Sequence, residues 1–319
     1  MGGLKSVYRV EVMCSAGPDY GEGIMANQLS TNAINPSFYA SVPDRDSAED
    51  LLLALEEHLG ARNGALTMVD GFEFREQRMD DFAALPGMFD GLVDVPNVKR
   101  SFTGQTVPGL SETELAVLAF AKVNAGEAYG VEVTTQARAK LHERDEPIFR
   151  VERVLGKEET YHTRLLLGVT QHFDQLELTE GWRPPLPLKV LIFALAKSPP
   201  ALFHPILLGA EVAGVFVFNW LLERSRDLFP DHPEIRESME QRLIEILIDE
   251  VGHIAFNRIA VGNTGVRIAL PLANQVTKAQ EAMNPELIGL GFDADARSNI
   301  RGFDYMNLPA EVRSRAFFV

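Results

Sequence analysis

Cysteine is nearly absent: the 319-residue chain has one, Cys14. A single thiol excludes an intrachain disulfide and any centre built from several thiolates. It makes a reducing compartment, the cytoplasm, the default expectation. Basic residues are also in short supply. Thirty Lys and Arg against 45 Asp and Glu give a formal charge of −15. Nucleic-acid binding needs clustered Lys and Arg facing phosphate, so nucleic acid is not an expected partner. No apolar run reaches the roughly 18 uncharged residues of a membrane span. The nearest runs, Leu186–Ala196 and Leu207–Leu222, are interrupted by Lys189 and Glu211. The second reads as a buried core helix. The first fits equally a subunit contact, which would allow a homodimer, or the wall of a substrate entrance. The first residues carry no charged stretch followed by an apolar one, so a secretory leader is not expected.

What remains is an ordinary globular composition, 46% hydrophobic, on a chain long enough for one core domain and an added region. Residues 1–105 read as that addition, an extension of mixed α/β character. Val7–Met13 suggests a short strand. Ala16–Asp44 is rich in Gly, Pro, Asn and Ser and reads as loop. Ser47–Leu59 reads as a helix with Ser47 as its N-cap and a stripe of Leu51, Leu52, Leu55 and Leu59. No motif in this region carries chemistry.

From Ser111 the pattern turns helical, and a mainly α core is expected over residues 106–265, with further helices and a tail over 266–319. Ser111-Glu112-Thr113-Glu114 is a capped start. The first long helix should run to about Arg144 and end in the polar segment His142–Pro147. The second should reach about Leu178. Breaks at Gly181–Pro185 and Ser198–Pro200 frame a short apolar helix, Leu188–Lys197. A third long helix is expected from about Pro205 to Asp227, a turn at Pro230–Pro233, and a fourth helix from about Glu234 to Val261.

Two Glu-x-x-His pairs stand out, Glu159–His162 and Glu250–His253. None of the other five His residues has a Glu three positions before it. On a helix, positions i and i+3 share a face, so each pair aims a carboxylate and an imidazole at one point. Each pair is preceded by a lone Glu on an apolar helical segment, Glu127 and Glu211. Four carboxylates and two imidazoles in this order form the ligand set of a dinuclear metal site inside a four-helix bundle.

The turns support the pattern independently. Ligands on two antiparallel helices share a level only if the turn lies midway between them. For Glu127 and Glu159 the midpoint is (127 + 159)/2 = 143, inside His142–Pro147. For Glu211 and Glu250 it is (211 + 250)/2 = 230.5, inside Pro230–Pro233. The stretch between His162 and Glu211 contains both Pro-rich breaks and suits one long crossover. Glu211 sits in the run Leu207–Phe218, where an unpaired carboxylate would cost several kcal/mol, a cost that a metal removes.

These residues resemble the ferritin-like diiron carboxylate proteins over roughly residues 111–262. Glu158-Glu159-Thr160-Tyr161-His162 and Asp249-Glu250-Val251-Gly252-His253 look like that family's metal helices, and Glu127 and Glu211 match its lone Glu positions. Asp249–Phe256 is similar to the last metal helix of the p-aminobenzoate N-oxygenase-like branch. That branch carries an extra His one turn before the last Glu, a position held here by Ile246.

The resemblance implies a ferritin-like bundle with a long crossover. Glu127, Glu159 and His162 would serve one metal ion, and Glu211, Glu250 and His253 the other, with some carboxylates bridging. It implies two iron ions, with manganese as an alternative, and O2 as co-substrate. The activity would be that of an oxygenase that hydroxylates, N-oxygenates or desaturates a small organic substrate, fed by an external electron donor. It implies that Asp249 and Glu158 accept the outer N–H of a His from the opposite pair; a solvated helix position is the bland reading of each. An iron-storage protein and a radical or ligand-binding oxidase share the same ligand set. The long N-terminal extension favours a dedicated enzyme.

Other candidates have plainer readings. Glu132 competes with Glu127, but the midpoint favours Glu127. Tyr129 and Tyr161 could serve a radical or proton-relay role beside the metal, but a core position with a bonded hydroxyl is the favoured reading. His204, two turns before Glu211, lies too far along the helix to be a ligand and suits a supporting position. His58, His142, His172 and His232 read as solvated. Gly126, Gly130, Gly214 and Gly252 suggest room beside the metal, or close helix contact.

Overall fold

A computed structural model describes residues 35–40, 42, 45–63, 95, 97–102, 107–170 and 186–319. The expected strand Val7–Met13, Cys14, His172 and the break Gly181–Pro185 lie outside them. Every regular element among the described residues is a helix. In chain order these are α1 (Arg45–Asn63), α2 (Val98–Phe102), α3 (Glu112–His142), α4 (Pro147–Thr170), α5 (Leu186–Ala196), α6 (Pro200–Leu228), α7 (Pro233–Met283), α8 (Glu286–Gly289), α9 (Ala294–Ser298) and α10 (Ala310–Arg315).

Local chemistry sets the ends of the long helices. Ser111 caps α3: its hydroxyl accepts from the Glu114 backbone N–H, and the Glu114 carboxylate accepts from the Ser111 N–H. This reciprocal pair satisfies two donors that a helix start otherwise leaves open. Proline opens α4, α6 and α7, where its missing N–H has no helical partner to lose. Two starts differ from the sequence reading. The first helix begins at Arg45, which places Ser47 inside it. The third long helix begins at Pro200 and passes through Pro205, because Pro200 supplies the start that the pattern assigned to Pro205.

α3 and α4 form one antiparallel hairpin, and α6 and the first part of α7 form another. The hairpins meet mainly through α4 and α7, while α3 and α6 barely touch. α1 lies across α4 and α7 on the far side. α7 departs from helical geometry at Gly262, with φ 59° and ψ −170°. That left-handed φ suits glycine and turns the chain directly after Val261. The second part of α7 then packs on α6 so closely that a Cβ on Gly209 would stand 3.0 Å from Leu272 Cβ and 3.1 Å from Ala269 O. This contact needs the missing side chain.

The core runs through the hairpins and into the C-terminal segment, where Phe38, Phe216, Phe292, Phe303 and Phe318 pack ring on ring. α6 has the length and apolarity of a membrane span, but most of its apolar stretch is buried inside the protein. α5 differs: Leu186, Val190, Leu191 and Phe193 on it are exposed.

Candidate metal centre

The ligand helices bring Glu159, Glu211, Glu250 and His253 together, with one donor atom of each within 4.8 Å of the others. This is a carboxylate–imidazole cluster of the kind that holds a metal ion. His162 belongs to it: its Nδ1 lies 3.2 Å from Glu250 Oε1 and 3.6 Å from Glu159 Oε2. His253 Nδ1 lies 2.9 Å from Glu159 Oε1 and 3.7 Å from Glu250 Oε2. The imidazoles stack with centroids 5.6 Å apart. Glu159 and Glu250 therefore each stand between both imidazoles, and each His is nearer to the Glu of the opposite helix than to its own. Glu127 stands beside Glu159 from α3. All six residues singled out by the motif meet at one level.

The outer nitrogens are held by a second layer. His162 Nε2 lies 3.1 Å from Asp249 Oδ2, and His253 Nε2 lies 3.2 Å from Glu158 Oε2. Donation of Nε2–H to these carboxylates turns the Nδ1 lone pair of each ring toward the cluster, the arrangement that orients a metal-binding His. Glu158 and Asp249 are buried, not solvated helix residues.

Behind this layer lies a contribution that the sequence did not announce. The C-terminal end of α1 reaches both carboxylates with consecutive residues. Arg62 Nε donates to Asp249 Oδ1 at 2.6 Å, and its Nη2 donates to Glu245 Oε2 at 2.9 Å. Asn63 Nδ2 donates to Glu158 Oε1 at 2.9 Å. Arg315 pairs with Glu245 from the C-terminal segment. Polar residues at a helix end carry no spacing signal, and their partners lie 187 and 95 positions away.

Burial, then the charges of Glu159 and Glu250, drive the Glu127 carboxyl well above its ordinary range. Burial, then Glu250 and Glu159, does the same to Glu211. Glu159 moves the other way, because the two imidazoles outweigh its burial. Burial would lower both His residues, but the carboxylates of Asp249, Glu159 and Glu250 at His162, and of Glu159, Glu158 and Glu250 at His253, push them well up.

A donor set of this kind fits divalent cations. Nδ1 lone pairs face carboxylate oxygens at 2.9 and 3.2 Å, so a positive centre, a proton or a metal, must stand between them. Glu159 Oε2 and His162 Nδ1 are buried with no hydrogen-bond partner, a state that native structures rarely leave unanswered. Four carboxylates balance two divalent ions when the imidazoles are neutral. Mixed carboxylate and imidazole donors of this kind could hold a metal ion.

A cavity of about 390 Å³ opens on Glu127, Glu159, Glu211, Glu250 and His253 between α3 and α6. Gly126, Gly130, Gly156 and Gly214 line it, and a Cβ at any of them would meet nothing within 4 Å. At these positions the glycines leave space and are not sites of close helix contact. The stretch after Gly262 supplies Val276, Met283 and Asn284 to the wall.

The remaining candidates are now placed. Glu132 is exposed and accepts from Gln136. Tyr161 is buried in the core, and Tyr129 lies beneath Lys189 Nζ, 5.8 Å from its ring; neither lines the cavity. His204 Nδ1 meets Asn257 Oδ1 at 3.0 Å, and Asn257 Nδ2 donates to the His253 carbonyl, a supporting position. His142 corrects the sequence reading. It is partly buried and lies 3.3 Å from Glu152 Oε1, because Glu152, paired with the buried Arg138, draws it in. The same partners outweigh burial and hold the Glu152 carboxyl down at about 2. His58 packs against Phe317, so it too is not simply solvated.

Comparison with protein-family models, curated proteins and solved structures finds no match to this chain. The resemblance seen in the sequence rests on these residues alone.

Proposed function

We propose that this chain is a ferritin-like, non-heme diiron oxygenase acting on a small organic substrate. The observation that carries the reading is the cluster of Glu159, Glu211, Glu250 and His253, joined by His162 and Glu127, with a cavity alongside. The two hairpins and the long crossover suit the four-helix bundle of that class. The six side chains would hold a pair of iron or manganese ions, which, when bound, supply O2 reduction and the oxidising power directed at substrate.

The chain's own residues do the rest. Glu159 and Glu250 each stand near both imidazoles and would hold the ions together with them. Asp249 and Glu158 fix the imidazole tautomers. Apolar side chains of α6 and α7 around the carboxylates exclude water, which strengthens every charge interaction in the site. Glu127 and Glu211 face the cavity from the less crowded side, where O2 and substrate have access. Electrons come from an external donor.

A cavity beside the carboxylates favours an oxygenase over storage, because a store has no use for an organic binding space. A radical oxidase would need a Tyr at the ligands, and Tyr129 and Tyr161 stand off the cavity. Metal analysis of the purified protein, followed by O2 addition to the reduced form, tests the reading. Two iron or manganese ions per chain and O2 consumption that one organic substrate accelerates are expected. Absence of bound metal ends the reading, and ferric mineral well above two ions per chain replaces it with storage.

A further inference from the structure

We propose that the cavity is a channel for the aliphatic chain of an elongated substrate, which lies past the carboxylates instead of stopping at them. Shape is the first ground. Along α3 the lining runs from Lys122 to His142, 20 residues or about 30 Å of helix. Along α6 it runs from Phe203 to Phe218, 15 residues or about 22 Å. Spread over that length, the roughly 390 Å³ through which the centre of a water molecule can move makes a passage far longer than it is wide.

The position of the metal ligands is the second ground. On α6, Glu211 lies eight residues after Phe203 and seven before Phe218, so the lining continues for similar distances on both sides. Gly130 and Gly214 lie one turn after Glu127 and Glu211, and Gly156 one turn before Glu159. A side chain at any of them would enter open space, so the gap persists past the ligands.

Polarity is the third. The middle of the wall is apolar apart from the ligands, with Val131, Leu155, Leu207, Val217 and Phe256. Apart from Thr134 and Thr135, the polar groups sit toward the ends and are engaged. Lys122 holds Glu286 at 2.6 Å, Glu152 holds Arg138 and His142, and Asn284 Nδ2 donates to the Ala119 carbonyl. A small polar substrate needs convergent groups that fix its orientation. A hydrocarbon chain needs only width and length.

The inference rests on the metal-centre reading for the oxidation of the chain, but binding is measured without metal. Metal-free full-length protein is titrated with the fluorescent polyene cis-parinaric acid and challenged with stearate, octanoate and p-aminobenzoate. Stearate is expected to displace the probe at a concentration at least tenfold lower than octanoate, and p-aminobenzoate not at all. Gly214→Phe, which fills the space beside Glu211, should weaken probe binding at least tenfold without changing metal content or Tm; Gly130→Leu is the second variant should the first fail to fold. Equal displacement by the aromatic acid, or undiminished binding to a folded filled variant, overturns the channel. Failure to bind metal with chain binding intact overturns the metal reading and leaves the channel standing.

Discussion

The two sides of the metal level are built differently. On the α4 and α7 side, both imidazoles are 1% exposed, and each is backed by a carboxylate that is itself held by α1. On the α3 and α6 side, Glu127 is only partly buried, glycines replace side chains, and the helices separate around the cavity. On one side both imidazoles are held from behind by a second layer of carboxylates. The other carries single carboxylates with space around them. On the proposed reading, holding ions and admitting reactants would fall to different helix pairs.

The largest expected effect breaks the comparison directly. Glu250→Ala removes a carboxylate that both imidazoles face, and both ions should be lost. Glu127→Ala removes a ligand from the open side, and at least half of the metal should remain. Plasma emission analysis of the two variants decides it; equal losses would mean that the sides do not differ.

Next in size is the supporting layer. Arg62→Met takes the arginine from buried Asp249, while Glu245 keeps Arg315; the loss costs about 3 kcal/mol. Loss of orientation at His162 should weaken metal binding about 10–100-fold, with Arg62→Lys recovering part of it. Urea unfolding and competition with a chelator measure the two effects separately. Unchanged metal affinity in a folded Arg62→Met protein would confine α1 to a packing role.

The smallest effect is the pH dependence. In metal-free protein His162, His253, Glu127 and Glu211 all have raised values. Their contribution is fully present below the ordinary values of 6.5 and 4.5 and fades as pH rises through the folded values. Glu159, shifted down, acts oppositely but loses its contribution only in acid. Metal binding displaces the protons. The Tm difference between loaded and metal-free protein should therefore widen by a few degrees from about pH 6 to about pH 8. A constant difference would show that the cluster holds no exchangeable protons.

Much of this arrangement was legible because helices report themselves locally. Ser111 and Glu114 announce a cap within four residues. Pro147 and Pro233 mark the turns, and the pattern fades at Val261, one residue before the chain bends at Gly262. Pairs three apart place Glu and His on one face. Arg62 and Asn63 were not legible, since nothing near them in sequence indicates Asp249 or Glu158. His142 was misread because its partner Glu152 lies across a turn, and turns usually carry solvated side chains. The cavity was foreshadowed only by glycines, which also serve close packing, as Gly209 does against Leu272.

The grip of α1 on the inner carboxylates has a consequence for the order of assembly. During synthesis Arg62 leaves the ribosome long before Asp249 exists, so the imidazole supports cannot close until most of the polypeptide has emerged. Ions are therefore expected to be captured by the finished chain rather than the nascent one, and a cell that truncates the product late should accumulate empty protein.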